Sequence, residues 1–347
     1  MTANYLRIAT EEAFAPPEML ELYRKLIEEK RVDEPGFNAQ FGFYLNSDSP
    51  RARHIIASLQ DLGAGRLAHM DRAGIDRQVL SLTSPGVQVM DRATAVSFAT
   101  HANDYVAEAV RARPDRFSAI AAVAPQDPQA AAREIERCVS KLGLKGLVIN
   151  SHTFGEYLDD EKFWPIFEAA EAMNAPLYLH PNNPPKRMIG PFLERGLDGA
   201  IYGFSVETAL HVLRIIVAGV FDRFPKLTLV IGHMGEALPF WLFRLDYMHQ
   251  ATVASGRYAS VRPLRRKPSE YIRQNVYVTS SGMAWEPALS FTQSVLGVDR
   301  VMYAMDYPYQ YDPSEVASMD ALDLSPDDKR RFFQSNAESV FGLASSV

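Results

Sequence analysis

Four residues in this sequence stand where metal chemistry would need them: Glu11, His180, His233 and Asp306 each follow a short apolar run. Glu11 lies in T-E-E-A-F after LRIAT, His180 closes LYLHP, His233 sits in VIGHMGE and Asp306 in YAMDYP. Carboxylate, imidazole and carboxylate make a hard-to-borderline donor set. It favours Mn²⁺ or Mg²⁺, is compatible with Zn²⁺, and includes no thiolate. Glu236 follows His233 by three residues. A helical turn there would return its carboxylate to the imidazole, fixing the tautomer and raising basicity. His233 is therefore either a ligand or an acid–base group held by Glu236. Taken singly, each residue has an ordinary alternative: a hydrogen-bonded strand-end histidine, a turn-forming aspartate, a solvated glutamate. A shared mouth would make them one site.

The elements needed to build that mouth are present. Eight near-continuous apolar runs read as buried parallel strands: Leu6–Thr10, Arg77–Thr83, Ser118–Ala124, Gly146–Asn150, Pro176–Leu179, Leu227–Ile231, Val276–Thr279 and Val301–Met305. Helical stretches alternate with them. Pro16-Pro17 opens EMLELYRKLIEEK, Asp127-Pro128 leads into a helix stopped by Gly143, Asp159-Asp160 precede EKFWPIFEAAEAM, and Ser205 leads into VETALHVLRIIVAGVF. Strand–helix alternation repeated eight times predicts an α/β fold, a (β/α)8 TIM barrel filling residues 1–347 as a single domain. An open doubly wound sheet is the alternative, but no GxGxxG follows the first strand. In such a barrel chemistry gathers at the C-terminal strand ends. Two connections exceed the minimum and read as long loops, Arg31–Arg53 after strand 1 and Asn182–Phe204 after strand 5, suited to lid, specificity or subunit contact.

Composition narrows the remaining classes. The 347 residues are 47% hydrophobic and 22% charged, which excludes a disordered chain, a collagen-like repeat and a coiled coil. The net charge of −6 argues against nucleic acid as a partner. Cys138 is the one cysteine, so neither an intrachain disulfide nor a CxxC motif exists, and a buried helical thiol is expected. No apolar stretch approaches the ~20 residues of a membrane span. The N-terminal MTANYLRIATEEAF lacks the pattern of a secretory signal, so a cytoplasmic location is expected. His54, His69, His101, His211 and His249 fall in helical segments or their flanks, away from the mouth; His152, two residues past strand 4, is ambiguous.

Read together, RIATEEAFA, LTSPGVQ, AVAPQDP, INSHT, LYLHP, GHMGEALPFWLFRLDYMHQ and MYAMDYPYQ, spanning positions 7–310, resemble the amidohydrolase superfamily. Within it they resemble the metal-dependent aryl decarboxylase branch. The resemblance implies one divalent metal on Glu11, His180 and Asp306, Mn²⁺ first and Zn²⁺ as the alternative, with His233 and Glu236 paired beside the substrate. It implies non-oxidative decarboxylation of an ortho-hydroxybenzoate by protonation of the ipso carbon, with Asp306 as proton carrier and His233 as the competing donor. 5-Carboxyvanillate, giving vanillate and CO2, is the first expectation. 2,3-Dihydroxybenzoate and γ-resorcylate are alternatives, as is a mononuclear hydrolase of the same fold. The superfamily's H-x-H after strand 1 stands here as Glu11-Glu12-Ala13, and strand 4 ends in Asn150 rather than a bridging lysine, so a binuclear centre is not expected. A small aromatic substrate with a second carboxylate would suit Arg51 or Arg244, whose guanidinium groups bind carboxylates in pairs of hydrogen bonds. Tyr44, Phe204 and Tyr309 are candidate aromatic walls. The aromatic first loop suggests a homo-oligomer, dimer or tetramer.

Overall fold

The apolar runs become parallel strands in the computed structural model, which describes residues 5–344. Residues 1–4 of the N-terminal stretch, and 345–347 at the end of the expected domain, lie outside the described residues. The strands are β1 (Ile8–Phe14), β2 (Arg77–Leu82), β3 (Phe117–Ala119, resuming as Ala121–Ala122), β4 (Leu147–Asn150), β5 (Leu177–His180), β6 (Leu229–Ile231), β7 (Val276–Thr279) and β8 (Val301–Met302). Neighbours in chain order pair in parallel. At the break in β3, Ile120 N donates to Leu80 O (3.0 Å) and Ala121 N to Gly146 O (2.8 Å), so this strand bridges β2 and β4. Thr10 N to Tyr303 O (3.1 Å) and Ala13 N to Tyr307 O (2.7 Å) join β1 to the chain leaving β8 and close the ring. This is the (β/α)8 arrangement expected from the alternation.

Period-two alternation decides what fills the barrel. Ile8, Val79, Ile120, Val148, Tyr178, Val230 and Met302 form the inner cluster, and Phe341 and Leu343 plug its lower end. The larger apolar layer lies between strands and helices. With the bottom filled, the upper end, where the strands finish, is the accessible one.

Two expectations change. Strand β1 runs to Phe14 with its register shifting between Ala9 and Glu12, so Glu11 lies inside the strand rather than after it. The connection after β1 is long, but it is helical: α1 (Pro17–Glu28), α2 (Pro35–Asn46), α3 (Pro50–Gln60) and α4 (Ala64–Ala73). Proline opens α1, α2 and α3 in their first turns, and Ser49 Oγ caps α3 by accepting from Ala52 N (3.1 Å). Phe37 and Phe41 of α2 pack edge-on against Tyr23 of α1, with ring centroids 4.9 and 4.8 Å away. Asn182–Phe204 stays mostly irregular, with one short helix at Gly190–Leu193. Among the described residues no helix is long and apolar enough to cross a membrane.

Candidate active site

Strand geometry places the first two side chains. His180, the last residue of β5, lies two positions beyond the inward-facing Tyr178 and shares its face. Its Nδ1 is 2.8 Å from Pro181 O. A carbonyl only accepts, so Nδ1 carries the hydrogen and Nε2 offers a lone pair. That Nε2 is 3.3 Å from Glu11 Oε1. Glu11 is buried; its Oε2 accepts from the Tyr178 hydroxyl and from Thr279 Oγ1 (3.1 Å). Gly232 makes room for it, since a β-carbon there would stand 2.7 Å from Oε2.

His233 and Glu236 meet as expected, with Nδ1 and Oε1 2.6 Å apart, but not through an ordinary helical turn. His233, Met234, Glu236 and Ala237 all have φ between 52° and 60°, and Gly235 has φ 82°. This left-handed run is sterically unfavourable for side-chain-bearing residues and typical of functional sites. It turns His233 so that Nε2 lies 3.7 Å from Glu11 Oε1. Asp306, also left-handed at φ 68°, follows β8. A β-carbon on Gly282 would lie 3.5 Å from Asp306 Oδ2 and 3.5 Å from His233 Cδ2, so these two side chains flank one small void.

The electrostatics follow from burying these groups together. Burial opposes ionisation of Glu11, but the charge of His233 and the hydrogen bond from Tyr178 outweigh it and hold the carboxyl below its usual range. Asp306 moves the other way: burial, then the charge of Glu11, raise it. Burial also opposes a charged His233, yet the Glu236 and Glu11 carboxylates lift it to about 10. Two environments push two carboxyls apart, the pattern of divided acid–base labour.

One atom tests whether a cation suits this place. Glu11 Oε1 is fully buried and finds no hydrogen-bond donor among the described residues, although it faces two imidazole nitrogens. Two ligands ~2.1 Å from an octahedral ion stand about 3 Å from each other, close to the spacing of Glu11 Oε1 and His180 Nε2. An orphaned carboxylate oxygen calls for a partner, and O/N donors suit Mn²⁺, Mg²⁺ or Zn²⁺. Asp306 faces the pair without touching it; among the described residues no three His, Cys, Asp or Glu side chains stand drawn together around an ion.

Above this floor opens a cavity of about 410 Å³, lined by Tyr44, Arg51, His180, Phe204, His233, Asp306 and Tyr309. Arg51 is held by donating from Nη2 to Tyr309 O (2.8 Å), and Tyr309 OH pairs with Thr83 Oγ1 (2.6 Å). The structure thus gathers every expected substrate-facing residue except Arg244. That side chain is exposed on the outer helix Leu238–Ser255 and borders a separate apolar groove with Trp241 and Met248. The run FWLFRLDYM is helical, and the face carrying Arg244 points away from the barrel. His152 also leaves the mouth: Gly155 N donates to its Nδ1 (3.0 Å), so Nε2–H donates to Asn183 O (2.9 Å). Sequence reasoning missed Ser84, Asn183 and Gln310 in the cavity wall and Tyr178 and Thr279 beneath Glu11. Tyr178 carried a readable signal, two residues before a strand-end histidine. The others are visible only once the loops converge.

A closed parallel barrel with acids and imidazoles converging at its C-terminal strand ends defines the class, an enzyme of the (β/α)8 type. The amidohydrolase family pattern matches residues 53–343, and the chain belongs to that family. It is 54% identical to a 5-carboxyvanillate decarboxylase of Novosphingobium aromaticivorans solved with manganese and 4-hydroxy-3-methoxy-5-nitrobenzoic acid (TM-score 0.96, covering 98% of this chain and 97% of that one). The 5-carboxyvanillate decarboxylase of Sphingomonas paucimobilis is 42% identical (TM-score 0.92, 98% and 100%). A γ-resorcylate decarboxylase of Polaromonas is 34% identical over 91% of this chain and 98% of its own length.

Proposed function

We propose that this protein is a metal-dependent, non-oxidative decarboxylase that converts 5-carboxyvanillate to vanillate and CO2. The observation that carries the reading is the orphaned Glu11 Oε1, set between two imidazole nitrogens at the floor of an aromatic-walled cavity with Asp306 beside it. Glu11, His180 and Asp306 would hold one divalent ion, Mn²⁺ by likeness to the manganese-bound relative. Such an ion supplies Lewis acidity toward the phenol and carboxylate oxygens of an ortho-hydroxybenzoate.

Direct loss of CO2 from an aromatic ring would leave an sp² carbanion without a resonance sink. Protonating the ipso carbon first removes that obstacle. Asp306 takes the phenolic proton as the substrate seats and returns it to the carbon bearing the carboxylate. The C–CO2 bond then breaks, its electron pair restores aromaticity, and the product phenolate regains a proton from water. Before the ion binds, burial and the charge of Glu11 raise the affinity of Asp306 for a proton; a bound cation would oppose that rise. His233, oriented by Glu236, stands beside the same void and stabilises charge on the bound acid. Arg51 pairs with the second carboxylate, and Tyr44, Phe204 and Tyr309 enclose the ring. The contact of Arg51 with the cavity favours 5-carboxyvanillate over γ-resorcylate, which has one carboxylate. Phe240, Phe243 and Tyr247 form an exposed aromatic face on Leu238–Ser255, and a homo-oligomer covering it is part of this reading.

Trapped CO2 and vanillate from the manganese-loaded protein test the proposal. Turnover of 5-carboxyvanillate should exceed that of γ-resorcylate and 2,3-dihydroxybenzoate, and absence of CO2 from all three would overturn it. Asp306→Asn should lower kcat by about 10²- to 10⁴-fold, the scale of a lost proton carrier. Near-normal turnover with metal retained would pass that role to His233.

A further inference from the structure

Glu12, the neighbour of Glu11 on β1, has no place in the chemistry above, yet it is fully buried and its carboxylate is engaged on both oxygens. Oε1 accepts from the backbone N–H of Met305 (3.0 Å), and Oε2 accepts from Gln78 Nε2 (3.3 Å). Gln78 Oε1 in turn accepts from Arg66 Nη1 (3.3 Å). Arg66 is also fully buried, donating to Asp61 O (2.8 Å), Ala13 O (2.6 Å) and Ser58 O (3.1 Å). Its guanidinium lies over the Tyr307 ring, 4.6 Å from the centroid. The network therefore grips the chain on both sides of Asp306: Glu12 holds the backbone N–H of Met305 just before it, and Arg66 covers the ring of Tyr307 just after it.

Asp306 needs such a grip. Its φ of 68° is one that an aspartate in an unconstrained chain rarely adopts, and its own backbone oxygen is held by Gln310 N (2.9 Å). A buried ionisable pair is a costly way to fill a core, and apolar side chains of similar volume would pack there at least as well for stability. Retaining hydrogen-bonded groups in this position makes sense where geometry matters more than stability.

We infer that Glu12, backed by Gln78 and Arg66, is a positioning residue for Asp306: by fixing the Met305 peptide it sets the direction in which the Asp306 carboxyl meets the substrate ring. The inference rests on the reading of Asp306 as proton carrier. A carboxyl displaced by an ångström still lies in the cavity but no longer points at the ipso carbon, and such displacements cost about 10²-fold in rate.

The test compares Glu12→Ala, Glu12→Gln and Asp306→Asn as manganese-loaded proteins, with kcat expressed per bound metal, KM measured alongside, and folding checked by circular dichroism. Glu12→Ala should lose about 100-fold in kcat with KM within about twofold of the parent. Glu12→Gln keeps an oxygen for Met305 N–H and should recover to within about tenfold. A mainly structural role would lower the yield of metal-loaded protein and leave kcat per metal intact. If Glu12→Ala is insoluble, Gln78→Leu, which frees Glu12 Oε2, should lower kcat about tenfold at unchanged KM. Parent-like kcat in folded Glu12→Ala, or in Gln78→Leu where that variant stands in, overturns the inference while a dead Asp306→Asn leaves the decarboxylase reading standing. An active Asp306→Asn removes the premise and with it the inference, passes the proton role to His233 and leaves the decarboxylase reading standing.

Discussion

Two clusters near the upper end of the barrel contain similar residue types and differ in how fully they are satisfied. In the first, Glu11 Oε1 and Glu236 Oε2 are buried without a hydrogen-bond donor among the described residues, and a cavity opens above them. In the second, Ser151, Tyr157, Glu207 and His211 lie between the end of β4 and the helix Gly203–Val217. Leu158 N donates to His211 Nε2 (3.0 Å), so Nδ1–H donates to Ser151 Oγ (3.1 Å). The Ser151 hydroxyl is then left to donate to Glu207 Oε1 (3.0 Å), while Tyr157 OH donates to Oε2 (3.0 Å). A serine, a histidine and a glutamate in contact suggest a nucleophile, but every hydrogen here is spoken for. Completed hydrogen bonding marks the structural cluster, and the missing partners mark the reactive one.

Charge-neutral substitution should separate the two most sharply. Glu11→Gln should lose stoichiometric manganese and about 10³-fold or more of activity, because a metal's charge stabilisation amounts to several kcal/mol. Glu207→Gln should keep both within about twofold, the scale of a sub-kcal/mol change. Metal analysis beside initial rates decides it, and full metal retention by Glu11→Gln would erase the distinction. A smaller effect belongs to Glu236→Gln, which leaves the fold intact but removes the carboxylate that orients His233. Loss of such an orienting partner typically costs 10- to 100-fold, so about that reduction in kcat is expected. A parent-like rate would show that the 2.6 Å contact does not serve the reaction.

The contrast also shows where sequence reading stops. The barrel was legible because eight apolar runs recur between helical stretches, and His180 because it closes one of them. Helix α2 was not, since Gly36, Gly42 and adjoining aromatics have poor helix propensity. Packing of Phe37 and Phe41 on Tyr23 decides its form. The approach of His233 to Glu236 was legible from spacing, whereas the left-handed run that produces it was not, because its only glycine is Gly235. Arg244 lies outside this chain's cavity for a third reason. Apolar and polar residues alternate around Leu238–Ser255 without a clear stripe, so its sequence does not announce which face meets the barrel.

The smallest expected effect concerns stability and isolates the satisfied cluster. Burial raises Glu207 to about 7, against which the hydrogen bonds from Tyr157 and Ser151 work. Its unfolded value is 4.5, so between pH 4.5 and 7 the folded chain binds more of this proton than the unfolded chain. Stability contributed by the group is fully present below 4.5 and falls as pH rises toward 7. The full change is on the order of 3 kcal/mol. Glu207→Gln cannot titrate, and it replaces one of two acceptor oxygens by a donor, at a cost of about 1 kcal/mol. The variant should therefore melt below the parent at pH 5, and the two Tm curves should converge or cross by pH 7.5. Parallel curves across that range would mean that Glu207 stays ionised in the fold, and that its cluster is held by charge rather than by shared hydrogens.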